Sequence, residues 1–390
     1  MPPQRAARRT VLRPLAPATY LIRNTGKTLP MIGVIMLAVL LVMGIISMIN
    51  SIPYSIRTIY AYSREMLGIT PRGDPSQTPK LVDILREESP VPLERIMICR
   101  ASGTQVQSIV GKWPFVVLGL GQEDMKYYLQ RQRSRGITGR LPRPGEPEAI
   151  VSQPVAQNLQ LELGSILQGP EISESYSPQP VEVVGIAHTD RWLMLNTIEY
   201  QRLNHFPPID FAMAFAESLR DQERLDRWAE ERFKGLRAQI FAYFQIEKST
   251  NEMFQTLYKI LNVVIGTLVL VITFMMGMLI NIYQSQRLQE FGLLQAIGYT
   301  KRQLLRRVIG ESVAVVLVGW VLGVLLAVGL LRVVKHVLMD PKAFSLNILD
   351  PAALLYTVPL PITILLVALV TVVSRFRRFD PVGVVERRLV

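Results

Sequence analysis

The sequence predicts a membrane protein: four transmembrane α-helices, with a large α+β extracytoplasmic domain between the first and second spans. Three observations predict it. Residues 28–56, 260–286, 312–331 and 351–374 are free of Asp, Glu, Lys and Arg, and each reaches the roughly 20 apolar residues a helix needs to cross a hydrocarbon core. The runs are unevenly spaced: one follows the N-terminus, and three come close together after a long interval. The net charge of +12 is also concentrated beside the runs.

The first 28 residues carry Arg5, Arg8, Arg9, Arg13, Arg23 and Lys27 and no acid. Excess Lys and Arg next to span ends marks the cytoplasmic side, so 1–28 reads as a cytoplasmic segment and 29–51 as the first transmembrane helix. A cleaved signal peptide is disfavoured. The apolar stretch is too long, and residues 47–53 present no small-x-small cleavage site.

Residues 52–255 are close to neutral and read as the extracytoplasmic domain. Nucleic-acid binding, the usual reading of a basic protein, does not fit a charge that clusters beside the spans and a large domain close to neutral. Apolar or alternating segments at 95–100, 114–118, 149–152, 165–167, 181–186 and 211–215 predict strands. Helices are expected at 123–133 and 219–233, where Leu225, Trp228, Ala229 and Phe233 recur among charged residues. Pro and Gly cluster at 71–79, 141–147 and 169–180, which predicts loops. The domain is α+β, with room for two subdomains. Its ends, 53–67 and 246–259, have few helix breakers and read as helices that prolong the first and second spans into a paired stalk. Cys99 is the single cysteine, which excludes an internal disulfide and a multi-cysteine metal site. It suits a small buried residue in a strand. Trp113, Trp192 and Trp228 read as core.

The second span is placed at 256–283 and a cytoplasmic segment at 284–307. There Arg287 and Glu290, three apart, share a helix face. Leu288, Phe291, Leu294 and Ile297 follow at near-helical spacing. Gly298 suits the left-handed position that ends a helix. Thr300 suits the cap of the next helix, which opens at Lys301 and Arg302. By periodicity alone this could equally be a basic amphipathic piece lying on lipid head groups.

The third span is 308–333, followed by a short extracytoplasmic loop at 334–350, the fourth span at 351–374 and a basic cytoplasmic tail at 375–390. Gly319 and Gly323 let a second helix approach the third span closely, either within the chain or across a dimer seam. Pro359 and Pro361 should kink the fourth span. Glu311 at the start of the third span calls for a partner, and Arg307 one turn earlier supplies one.

Arg287, Glu290, Ala296, Ile297, Gly298, Lys301 and Arg302, in this order just after a second span, resemble the pattern of MacB/FtsX-type ABC transporter permeases. The tail around Asp380, Pro381 and Gly383 resembles the family's short ending. Residues 148–152, 163–169 and 183–186 are similar to its outer core domain. The resemblance implies a non-catalytic membrane subunit that works as a homodimer or heterodimer with separate cytosolic ABC ATPase subunits. ATP and Mg would be bound by those partners and not by this chain. ATP-driven closure of the ATPases would push on the helices, and the stalks would carry the motion outward to export or extract an amphiphilic substrate such as a lipid, lipoprotein, peptide or drug. A periplasmic adaptor and membrane lipid are further partners of such systems, and the setting is a bacterial inner (plasma) membrane. On this reading Phe291, Leu294 and Ile297 would anchor the ATPase, ringed by Arg287, Glu290, Lys301 and Arg302. An FtsX-like scaffold that activates cell-wall hydrolases is the alternative.

The residues agree that catalysis lies elsewhere. No Gly-x4-Gly-Lys-Ser/Thr phosphate cradle occurs. His188, His205 and His336 are too scattered for a metal site, and no carboxylate pair stands out for acid–base work.

Overall fold

The computed structural model describes residues 24–204 and 209–377. His205, most of the N-terminal basic segment and the tail from 378, with Asp380, lie outside the described residues. The chain forms two compact units. One holds the described residues up to Met48, Leu257–Val333 and the described residues from Asn347; the other holds Ile49–Thr256 and Val334–Leu346.

Helix α1 spans Thr25–Ile59 and continues as a tighter 3-10 turn, Tyr60–Glu65. The outer unit then runs β1 (Leu67–Pro71), α2 (Thr78–Glu88), β2 (Leu93–Ser108), β3 (Gly111–Leu120), α3 (Gln122–Arg131), β4 (Ile137–Gly139) and β5 (Glu148–Ser152). After these come α4 (Gln153–Leu159), β6 (Ile166–Gln168), β7 (Val181–Ala187), β8 (Met194–Thr197), α5 (Ile198–Leu203), β9 (Phe211–Ala216), α6 (Leu219–Arg232) and β10 (Ala238–Phe241). The membrane helices follow as α7 (Tyr243–Gln286), α8 (Leu288–Ala296), α9 (Lys301–Val334), α10 (Pro351–Thr357) and α11 (Pro359–Arg377).

The strands make one mixed sheet in the order β10-β1-β9-β2-β3-β8-β5-β7-β4, with β6 on β7. Long β2 joins its two halves: Leu93–Cys99 pair with β9, and Arg100–Ser108 pair with β3. Two cores result. Side chains alternate across a strand, so β9 sends Met213 and Phe215 into one core and Ala212, Ala214 and Ala216 into the other. The alanines leave space for α2 and α6, whose Leu81, Leu85, Leu225 and Ala229 fill the smaller core. Cys99 and Trp192 lie in the larger core; burial pushes the Cys99 thiol well up. Trp113 packs against that core and Trp228 against the smaller one.

Two sequence expectations are corrected. Residues 53–67 do not stay helical throughout: the helix tightens at Tyr60, and strand β1 begins at Leu67. Residues 71–79 are not all loop, because Asp74 caps a turn at Pro75–Gln77 and α2 starts at Thr78. The segment Val334–Leu346 also belongs to the outer unit. Gln157 and Asn158 donate to the carbonyls of Asp340 (2.5 Å) and Lys342 (2.7 Å).

In the membrane unit, α1 turns Ile35, Val39, Val42 and Ile46 into a core shared with α7, α9 and α11. Gly319 and Gly323 of α9 meet α1: a Cβ at either would come within 2.9 Å of Ile35 and 2.7 Å of Val39 respectively. The small-residue pair therefore serves packing within the chain. Leu270, Phe274, Leu325 and Leu355 point outward, as lipid-facing side chains should. The fourth span is interrupted at the one residue Val358, which keeps helical angles, just before Pro359. Proline is tolerated in a first helical turn, where backbone N–H groups have no intrahelical partner.

Candidate functional site

The site is the turn between the second and third spans. Helix α7 ends at Gln286, Arg287 starts α8, and α8 closes after two and a half turns on Ile297. Its stop is built from backbone. Gly298 adopts φ +106°, its N–H donates to Gln295 O (2.9 Å), and Tyr299 N–H donates to Leu294 O (3.1 Å). This pair of bonds satisfies carbonyls that a helix end leaves open, and it turns the chain sharply. Thr300 and Gln303 then cap α9 reciprocally: Gln303 N–H donates to Thr300 Oγ1 (3.3 Å) and Thr300 N–H to Gln303 Oε1 (2.9 Å), a capping box.

Side chains lock α8 to α9. Arg287 is buried and donates from Nη1 to Glu311 Oε2 at 2.6 Å and from Nε to Glu290 Oε2 at 3.1 Å. Arg307 donates from Nε to the second oxygen of Glu311 at 3.1 Å. The Glu311 side chain, only 4 % exposed, thus has a cation on each oxygen, as a buried carboxylate requires. Phe291 sits beneath, 2 % exposed, among Leu304, Val308, Val372 and Phe376, with the Arg287 guanidinium 5.2 Å from its ring centre. Leu288, Leu294 and Tyr299 pack around this cluster.

The predicted anchors therefore separate. Phe291 and Arg287 are corrected: both face inward and hold α8 in place, so neither offers itself to a partner. Leu294 is half-buried, since it packs against the Phe291 cluster. Ile297, at 73 %, is exposed, and so is Leu293, at 65 %, one helical turn earlier. Leu293 was missed. Its signal was present in the sequence, as it stands four residues from Ile297 and so on the same helix face. Glu290, Lys301 and Arg302 are also exposed. Glu311 takes Arg287 as well as the expected Arg307. Among the described residues no three His, Cys, Asp or Glu gather as a metal site.

Residues 262–381 match the family model described as FtsX-like permease C-terminal. Over these residues the chain is similar to FtsX-like permeases. The matched stretch takes in most of α7 and all of α8 to α11, hence the whole locked turn. No curated protein matches the chain.

Among solved structures, the chain is similar to the periplasmic region of MacB from Actinobacillus actinomycetemcomitans. Identity is 12 %, with 50 % of this chain and 94 % of that one covered at a TM-score of 0.29. It is similar to the extracellular domain of the noncanonic ABC-type transporter YknZ from Gram-positive bacteria at 11 % identity, covering 45 % and 99 % with a TM-score of 0.26. A domain of a putative permease from Porphyromonas gingivalis follows at 13 %, covering 46 % and 89 % with a TM-score of 0.24.

Proposed function

We propose that this chain is the membrane subunit of an ABC transporter and that α8 receives the push of a separate cytosolic ATPase. The observation that carries the reading is the pairing of rigidity with an exposed apolar tip. Helix α8 is tied to α9 through Glu311 and the Phe291 cluster, yet it presents Leu293 and Ile297 outward. Apolar anchors with a polar rim are what a partner groove binds. A rigid mount passes displacement on instead of absorbing it.

On this reading both termini and the α8 turn face the cytoplasm of a bacterial cell, a second permease copy completes the unit, and ATP and Mg stay on the ATPase. The outer domain would act on an amphiphilic substrate at the far face. Replacing Leu293 and Ile297 together by Glu should abolish co-purification of the ATPase in mild detergent while leaving membrane insertion and melting temperature unchanged. Undiminished co-purification by a normally folded variant rejects α8 as the contact.

A further inference from the structure

The outer domain holds a cavity of about 590 Å³ that none of the foregoing uses. It opens where the 3-10 turn after α1 meets the C-terminal end of α3 and the loop after β7. Five arginines line it, Arg57, Arg64, Arg133, Arg135 and Arg191, against Asp190 and Glu247. Glu65 lies beneath, with one oxygen 3.7 Å from both Arg133 and Arg191. Counting all three acids, the cavity keeps a surplus of positive charge.

The arginines are held unequally. Arg64 donates to the Tyr243 hydroxyl at 2.8 Å and stacks on its ring, and Arg57 is bonded to Asn251. Arg191 donates to Ala61 O at 3.2 Å. Burial pushes the Arg191 guanidinium below its usual range, Glu65 opposes this, and neighbouring Arg133 and Arg64 add to the fall. Like charges are thus gathered where solvent is partly excluded, an arrangement that an anion relieves.

Arg133 gives a second, independent indication. It follows α3 in the left-handed conformation, φ +58°, where glycine is the favoured residue. Its side chain is exposed on the cavity wall. An unfavourable backbone retained with a cation at a cavity points to use of that cation.

We propose that this cavity binds an anionic phosphate group. Planar guanidinium forks match phosphate oxygens in pairs, and the volume suits a head group or small ligand. Tyr54, Arg57 and Thr58 of the wall belong to α1, the helix that carries the first apolar run, which favours the phosphate of a lipid head group over free phosphate. Site and proposal are independent of the α8 contact.

The test is titration calorimetry on the full chain in neutral detergent, with three probes: short-chain phosphatidylglycerol, short-chain phosphatidylcholine and inorganic phosphate. Phosphatidylglycerol should bind at least tenfold more tightly than phosphatidylcholine. Arg133→Gly should weaken that binding at least fivefold while raising the melting temperature, because it relieves the backbone. Arg135→Gln, whose side chain is exposed on the cavity wall, should weaken it without changing the melting temperature. Inorganic phosphate binding as tightly as phosphatidylglycerol, and lost in the same variants, assigns free phosphate and keeps the site. Equal binding of the two lipids without phosphate binding, or variants that bind like the parent chain, overturns it.

Discussion

Asp226 shows how one residue can couple stability to pH. It is buried on α6 and accepts from Gln222 Nε2 at 3.0 Å. Burial pushes its carboxyl up to about 7, against the pull of the Gln222 bond and with a push from Glu223. An unfolded Asp titrates near 4. Between those values the folded state binds the extra proton, so stability falls as pH rises through the window and levels off above it. Asp226→Asn should therefore melt above the parent chain at pH 8 by the equivalent of roughly 2–4 kcal/mol, with the gap closing near pH 4; thermal scans of the isolated variant across pH 4–8 check this. Glu311 is a buried carboxylate whose two oxygens each meet an arginine. Glu311→Ala takes the buried carboxylate away from Arg287 and Arg307 and should destabilise by about 3–5 kcal/mol, read as a lower melting temperature in detergent. The periodic pattern named the Arg287–Glu290 pair and the Arg307–Glu311 pair correctly, because both are one helical turn apart. The Arg287–Glu311 bond joins two helices across a turn, and no local spacing reports it.

At the scale of elements, the α8 stop and the α9 cap were legible because their chemistry is local. Gly298 supplies a backbone angle, and Thr300 a side-chain acceptor one turn from Gln303. Gly298→Val should cost about 1–2 kcal/mol in strain and re-aim α8, lowering ATPase co-purification together with the melting temperature. That distinguishes it from Leu293→Glu with Ile297→Glu, which should leave melting alone. Several outer-domain elements were not legible. Strand β1 reads Leu-Gly-Ile-Thr-Pro, where Leu67 and Ile69 alone alternate into the core beside a Gly and a Pro, and β9 and β10 flank it on both sides. Strand β4 is three residues long, too short for any period to register. Phe291 misled for another reason. Helical spacing places it on the apolar stripe with Leu288 and Leu294, and a stripe does not say whether its own fold or a partner covers it.

At the scale of the whole molecule, a reporter enzyme fused after Leu219 should be active only outside the cytoplasm, and one fused after Gln295 only inside. The reverse result overturns the orientation on which the coupling reading rests. The four-span plan and the intervening α+β domain both follow from sums over many residues, which is why they survive errors at single positions. Span length is set by bilayer thickness, and orientation by Lys and Arg near span ends.

The sequence by itself determined which segments cross a membrane, where the large domain hangs, and the stop-and-cap turn after the second span. Each depends on composition or on neighbours within about one helical turn. Only the tertiary structure decided which side of α8 is free, that Gly319 and Gly323 receive α1, that Val334–Leu346 joins the outer unit, and that five arginines from separated segments share one cavity. Those facts depend on which surfaces cover one another once the chain has folded, and burial of that kind is a property of distant residues brought together.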